Sequence, residues 1–184
     1  MPRLFVSVVP PEEVRADLDR ALSPLRGVPG EPRWIPPERW HVTLLFLGTV
    51  PEERVPDLRD AVGKAAAPTS PLTLRLAGGG RFGAGRRPQV FWAGLEGDVG
   101  PLADLVDRLR AGSQELGLPV EDRPFRAHLT VGRWRPRRPV DAALPDRLGG
   151  YRGPDWQVTE VALFASHLGR YETVAMWGVT RRTP

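Results

Sequence analysis

Two short segments of this sequence carry a histidine followed two residues later by a threonine: His41-Val42-Thr43-Leu44 and His128-Leu129-Thr130-Val131. Both lie in apolar, β-prone runs. In a strand, residues i and i+2 share a face, so each imidazole sits beside a hydroxyl. Leu45 continues the face of His41, while Val42, Leu44 and Phe46 form an apolar back that seeks a core. The chain has three histidines, and two of them open these segments. Two imidazoles across one cleft are a general acid and a general base, since a pKa of ~6.5 lets one be neutral while the other is protonated. A hydroxyl beside each can donate to a phosphoryl oxygen as charge builds there. Such a set suits attack of water on a strained phosphodiester without a metal. A single strand histidine is ordinarily structural; two in matching contexts argue otherwise.

The elements that must position them follow from periodicity and punctuation. A buried strand over 4–9 stops at Pro10-Pro11, and Val14, Leu18, Leu22 and Leu25 mark an amphipathic helix over about 11–25. Glu12 and Glu13 suit its positive end. A loop over 27–32 leads to the first His-Thr strand, closed by Gly48. Residues 49–67 read as a helix that becomes regular near Val55, with Val55, Leu58, Val62 and Ala65 on one face. Leu72, Leu74 and Leu76 alternate as a strand, and a Gly/Arg-rich stretch leads to another over 89–95. Leu102, Leu105, Val106, Leu109 and Leu116 mark a second long helix, capped by Gly117. The second His-Thr strand follows over about 127–133. Residues 135–154 read as a long loop with at most one helical turn, and strands over 158–166 and 171–179 flank a turn at Gly169.

Strand, helix and His-Thr strand thus occur in that order over 4–48 and again over 89–133. This reads as an internal duplication: two α+β lobes that bring the His-Thr strands to opposite walls of one cleft. A single sheet of six or seven strands is the alternative that pattern allows.

Composition bounds the rest. With 184 residues the chain is one large domain or two small lobes sharing an interface. The absence of cysteine removes thiol nucleophiles, disulfides and Cys-type zinc sites, and fits a reducing cytoplasm. No apolar run approaches the ~20 residues of a membrane helix, and the N-terminal run meets two prolines and two glutamates too soon for a signal peptide or anchor. The net charge is +4 and Lys64 is the only lysine. Arginine's planar fork suits phosphate, so an anionic partner is favoured; a genome rich in Arg, Ala, Gly and Pro would explain the same excess.

The segments HVTL and HLTV, with RLFVSVVPP, RWIPPERWHVTLLFLG, PFRAHLTVGR and SHLGRY around them, resemble the 2H phosphoesterase superfamily. The wider context is similar to its RNA 2′,3′-cyclic phosphodiesterase branch, also called LigT-like or 2′-5′ RNA ligase, and the likeness spans essentially the whole chain. The resemblance implies an α+β, bilobal, duplicated fold over 1–184, with two antiparallel-rich sheets, outer helices and a central cleft. It implies hydrolysis of RNA 2′,3′-cyclic phosphate ends to 2′-phosphate, with no metal and no cofactor, by a cytoplasmic, monomeric enzyme. His41 would be the proton donor to the leaving 3′-oxygen and His128 the proton acceptor that activates water. Thr43, Thr130 and Arg133 would bind the phosphate. Two departures stand out. Ala127 occupies the place of the family's usual proline, and strict alternation turns Arg133 away from His128 unless the strand bends near Gly132.

Other features have weaker claims. His167 falls in a turn with no partner, and no ligand spacing such as H-x-x-x-H supports zinc. Gly78, Gly80 and Gly83 spell G-x-G-x-x-G, but a strand follows them instead of a helix, so a hairpin connection is expected. Lys64 lacks the upstream glycine of a P-loop. Arg81, Arg86, Arg87, Arg133, Arg135, Arg137 and Arg138 lie in two loops that would rim the cleft, with Trp34 and Trp134 to stack on bases; a solvated basic face with core tryptophans is the plain alternative. The rival functions are action on a small cyclic nucleotide, 2′-5′ ligation, and a non-catalytic RNA-binding module.

Overall fold

A computed structural model describes residues 3–83 and 88–179. Among these residues, nine strands and three α-helices run in the order β1 (Arg3–Val8), α1 (Glu12–Leu22), β2 (Arg33–Trp34), β3 (Val42–Thr49), α2 (Val55–Ala66), β4 (Leu72–Phe82), β5 (Val90–Gly97), α3 (Val99–Glu115), β6 (His128–Arg133), β7 (Arg152–Val158), β8 (Glu160–His167) and β9 (Arg170–Gly178). They form two antiparallel sheets, ordered β3-β1-β8-β9 and β2-β6-β5-β4-β7. The single-sheet alternative is therefore excluded.

The two sheets repeat one plan. In each, a His-Thr strand pairs with the strand that precedes it across a helix: β3 with β1, and β6 with β5. In each, that inner strand pairs on its other side with a third: β1 with β8, and β5 with β4. The helices bury the faces their spacing announces. Val14, Leu18 and Leu22 of α1, Leu58, Val62 and Ala65 of α2, and Leu102, Leu105, Val106 and Leu109 of α3 are all buried. Each such leucine or valine taken out of water contributes about 1.5–3 kcal/mol. α1 lies along β7, where the Tyr151 hydroxyl donates to Asp17 at 2.8 Å. α2 packs on α3 and reaches β9, and α3 touches β3 and β4, so the helices bind the two sheets together.

Several expectations needed correction. Phe46 is not part of the apolar back: it is 45% exposed, while Leu44, Leu45 and Leu47 are all buried. The pairing of β3 with β1 slips twice, from Gly48 to Phe46 and from Leu45 to Thr43, and these bulges break the alternation. The loop over 135–154 contains a 3₁₀ turn (Leu144–Leu148) and also the start of β7, which pattern did not reveal. Pro154 hides that strand, yet β7 is an edge strand with an irregular register there, where a proline is tolerated. The hairpin expected at the Gly-rich stretch is present, but β4 runs further than the alternation of Leu72, Leu74 and Leu76 announces, through Gly78 and Gly80 to Phe82, before the chain turns back into β5. Arg86 and Arg87 lie outside the described residues. Pro11 precedes α1 as its N-cap, one residue outside the expected helix start. Gly117 does close α3, with φ of 69°.

Candidate active site

The first His-Thr segment is aimed by its approach. A 3₁₀ turn (Pro37–Arg39) delivers the chain to Trp40, whose ring is buried and whose Nε1 donates to the Ile35 carbonyl at 2.8 Å. This fixes the backbone immediately before His41. The His41 Nδ1 donates to the carbonyl of Arg39 at 2.8 Å, and the His128 Nδ1 donates to the carbonyl of Arg126 at 2.6 Å. A carbonyl only accepts, so both Nδ1 atoms carry a proton and both Nε2 atoms are left for chemistry. The repeated signal was present in the sequence as Arg-x-His-x-Thr, at 39–43 and 126–130; the arginine two residues upstream serves through its backbone.

Aromatic rings hold each imidazole. His41 lies 4.9 Å from the ring of Phe5 and meets Tyr171 edge-on at 5.2 Å and 89°. His128 meets Phe82 at 4.8 Å, also at 89°, with Trp92 at 6.4 Å. Trp92 in turn lies over Gly80, where an added Cβ would be 2.2 Å from the indole. The glycines of β4 thus make room for a ring that flanks His128.

A cavity of about 400 Å³ separates the two segments. His41, Thr43, His128, Thr130 and Arg133 line it together. Arg133 reaches this face because β6 bulges: Phe91 pairs with Gly132 and Trp92 with Thr130, so Val131 is skipped. Val131 and Gly132 are consecutively buried, and the residue after them returns to the face of His128. Gly132 is needed where β2 crosses, since a Cβ there would meet Pro32 at 2.7 Å. The bend that Arg133 requires is therefore present.

Arg33, Trp34 and Arg39 from the approach, and Leu168, Gly169 and Tyr171 from the β8–β9 turn, complete the wall. Arg39 and Tyr171 were missed as site residues. The guanidinium of Arg39 lies over the Tyr171 ring, 5.0 Å from its centroid, and Nη2 donates to the hydroxyl at 3.4 Å. They belong to the segments RWIPPERW and SHLGRY, but residue type alone did not tie either to the histidines.

Both imidazoles titrate below the ordinary 6.5, chiefly because burial disfavours the charged ring. The bonds to Arg39 and Arg126 oppose this. The positive charge of Arg39, a protonated His128 and Arg133 lower His41 further, and Arg133 lowers His128. The influence of a protonated His128 on His41 makes the doubly protonated pair unfavourable. Arg133 acts on both rings, in keeping with its place in the cavity lining.

The remaining candidates lie elsewhere. His167 is exposed at the end of β8 and does not line the cavity. Trp34 lines it, whereas Trp134 is buried, stacks on Phe91 at 6.0 Å and donates to Gly30. Arg81 donates to the Ala142 carbonyl at 2.7 Å and holds the loop after β6. Arg135 and Arg138 line a neighbouring hollow with Arg33. Among the described residues no three or more His, Cys, Asp or Glu side chains are grouped so that they could hold a metal ion.

Comparison with known proteins gives a consistent picture. Residues 10–170 match the model of the 2′-5′ RNA ligase superfamily. An RNA 2′,3′-cyclic phosphodiesterase of Thermus thermophilus is 37% identical over 174 residues, covering 90% of this chain and 82% of the relative. One from Escherichia coli is 28% identical over 183 residues, covering 97% of each. The crystal structure of a Thermus thermophilus protein superposes with a TM-score of 0.79 at 34% identity, covering 96% of this chain and 97% of the other. The Escherichia coli LigT structure complexed with 3′-AMP gives 0.79 at 26%, covering 98% and 99%.

Proposed function

Because the chain belongs to the 2′-5′ RNA ligase superfamily, we propose that it hydrolyses RNA 2′,3′-cyclic phosphate termini to 2′-phosphates, with His41 and His128 as the acid–base pair. The enzyme is a cyclic phosphodiesterase. The observation that carries the reading is the pair of His-Thr segments, one from each sheet, lining a single cavity with their Nε2 atoms free.

Water attacks phosphorus from the side of His128, whose neutral Nε2 takes its proton. The bond from phosphorus to the ribose 3′-oxygen breaks on the opposite side, and the Nε2–H of protonated His41 supplies the proton that oxygen needs. The phosphate remains on the 2′-oxygen. Each histidine ends in the other's starting state and exchanges its proton with solvent before the next turnover. The hydroxyls of Thr43 and Thr130 donate to the non-bridging oxygens, and Arg133 balances the charge that grows on them. Trp34 and Tyr171 offer stacking faces for the terminal base, and Arg33 and Arg39 neutralise phosphate. The whole of 1–184 is read as one two-lobed domain, since neither sheet alone carries both halves of the site. We take it to work as a cytoplasmic monomer: one chain completes the cavity, and cysteine is absent.

The test is a short RNA ending in 2′,3′-cyclic phosphate, incubated with EDTA. Wild type is expected to yield a 2′-phosphate only. His128→Ala is expected to be slower by about 100- to 10,000-fold, the usual contribution of one general base. A 3′-phosphate product, or an unimpaired variant, would overturn the assignment.

A further inference from the structure

Leu4, Val6 and Val8 of β1 are buried on one face of the strand. Alternation sends Phe5 and Ser7 to the opposite face. That face belongs to the site. The Phe5 ring lies 4.9 Å from the His41 ring, and Ser7 is the direct cross-strand partner of Thr43. The bulge after Val6 makes this pairing, since Leu44 is skipped between Leu45 and Thr43. On its other side Ser7 pairs with Ala162, whose side chain offers no polar group.

Ser7 is wholly buried, and its Oγ is the one side-chain oxygen among the described residues that is buried without a hydrogen-bond partner. Thr69 shows the ordinary arrangement: it too is buried, but its hydroxyl accepts from Arg108 at 2.7 Å. A buried hydroxyl without a partner loses the bonds it made to water, and alanine would fill the same place without that loss. Ser7 does not line the cavity, so its route to the chemistry runs through Thr43, which does. Residues paired on one face carry their Cβ atoms about 4.5–5.5 Å apart, and hydrogen bonds between hydroxyls are a recurrent form of such pairs. Thr43 is β-branched and stiff, whereas Ser7 is unbranched and turns about its Cα–Cβ bond to meet it. The matching place in the other sheet, opposite Thr130, holds Trp92, whose indole lies over Gly80. The two threonines are thus supported differently.

We propose that Ser7 is a positioning residue for Thr43: with the cyclic phosphate bound, the Ser7 hydroxyl donates to Thr43 Oγ1. The inference rests on the reading of Thr43 as a phosphate-binding group. A threonine hydroxyl has one hydrogen and two lone pairs. Accepting from Ser7 occupies a lone pair, aims the single hydrogen at the phosphoryl oxygen and polarises it further. No proton leaves either residue. The Ser7–Thr43 bond strengthens as negative charge grows on the phosphate, so it acts on kcat more than on KM.

The experiment is a double-mutant cycle on a short RNA ending in 2′,3′-cyclic phosphate, with kcat, KM and melting temperature measured for each protein. Ser7→Ala is expected to lower kcat by about five- to tenfold, the worth of one hydrogen bond, with KM nearly unchanged. It is expected to melt no lower than wild type, because it removes the partnerless hydroxyl. Beside Thr43→Ala the same substitution should change kcat by no more than about twofold, whereas beside Thr130→Ala its full effect should remain. A Ser7→Ala enzyme as fast as wild type would overturn the proposal. So would a loss that persists beside Thr43→Ala or vanishes beside Thr130→Ala, or one that comes with a lower melting temperature. An unimpaired Thr43→Ala enzyme would instead remove Thr43 from the phosphate, and the role of Ser7 with it.

Discussion

At His41 and His128 one ring nitrogen is already committed, to the carbonyl two residues upstream, and this fixes both tautomers before any substrate arrives. The pH dependence follows from burial. Both pKa values are lowered from 6.5, and activity needs one proton shared by the pair, so the kcat/KM profile should be a bell whose alkaline limb falls below pH 6.5. Arg133→Gln removes a charge that lowers both rings; it should lower kcat/KM and move the bell to higher pH, and an unmoved bell would place Arg133 away from the pair. The same burial governs stability. The unfolded chain protonates these histidines at 6.5 while the native one refuses, so stability from this source is complete above 6.5 and is lost as pH falls below it. Thr43→Ala should cost about 100-fold in kcat with little change in melting temperature, because its donor acts most strongly on the charge that builds on the phosphoryl oxygens in the transition state. The two histidines and two threonines were legible in the sequence because type and spacing sufficed. Arg39 and Tyr171 were not, because their relation to His41 is made by a turn and a hairpin far away in sequence.

Among the elements, the bulges do most to shape the site. Period-two alternation predicts which face a strand residue takes until one residue is skipped, and then every later side chain changes sides. That reversal brings Arg133 back to His128 and turns Phe46 out of the core. None of the three bulges has a local sequence signature beyond Gly132 and Gly48, so Phe46 was misassigned and Arg133 stood in doubt. The glycines of β4 invited a nucleotide-loop reading only in isolation. Gly80 faces the Trp92 indole, and Gly79 faces Leu148 and the Pro145 carbonyl. Gly80→Ala should therefore destabilise the fold by about 1–3 kcal/mol in denaturant titration, the usual penalty of overpacking, and slow turnover as Trp92 shifts against Phe82 and His128. A silent substitution would contradict the tight contact. Helices were read closely from sequence because their buried stripes are long and regular. β2 and β7 escaped, the first for its brevity and the second because Pro154 obscured an edge strand.

For the whole molecule, each sheet contributes one histidine and one threonine, and the cavity lies where the two meet. Beyond it, Arg33 continues toward Arg135 and Arg138 along the surface. If a strand follows these three, binding of an oligoribonucleotide should weaken with salt at a slope of about −2 in log–log form, at roughly 0.7 per neutralised phosphate. Arg135→Ala combined with Arg138→Ala should reduce that slope by about 1.4, while leaving kcat on a cyclic mononucleotide unchanged. The central claim is that two histidines from two sheets form one catalytic unit. It is tested most directly by kcat/KM on a 2′,3′-cyclic end for His41→Ala, His128→Ala and the double variant. Groups that act together are not additive, so each single loss should fall in the range of about 100- to 10,000-fold and the double should be little worse than the worse single. Losses that multiply, or a rate that survives both substitutions, would contradict the account.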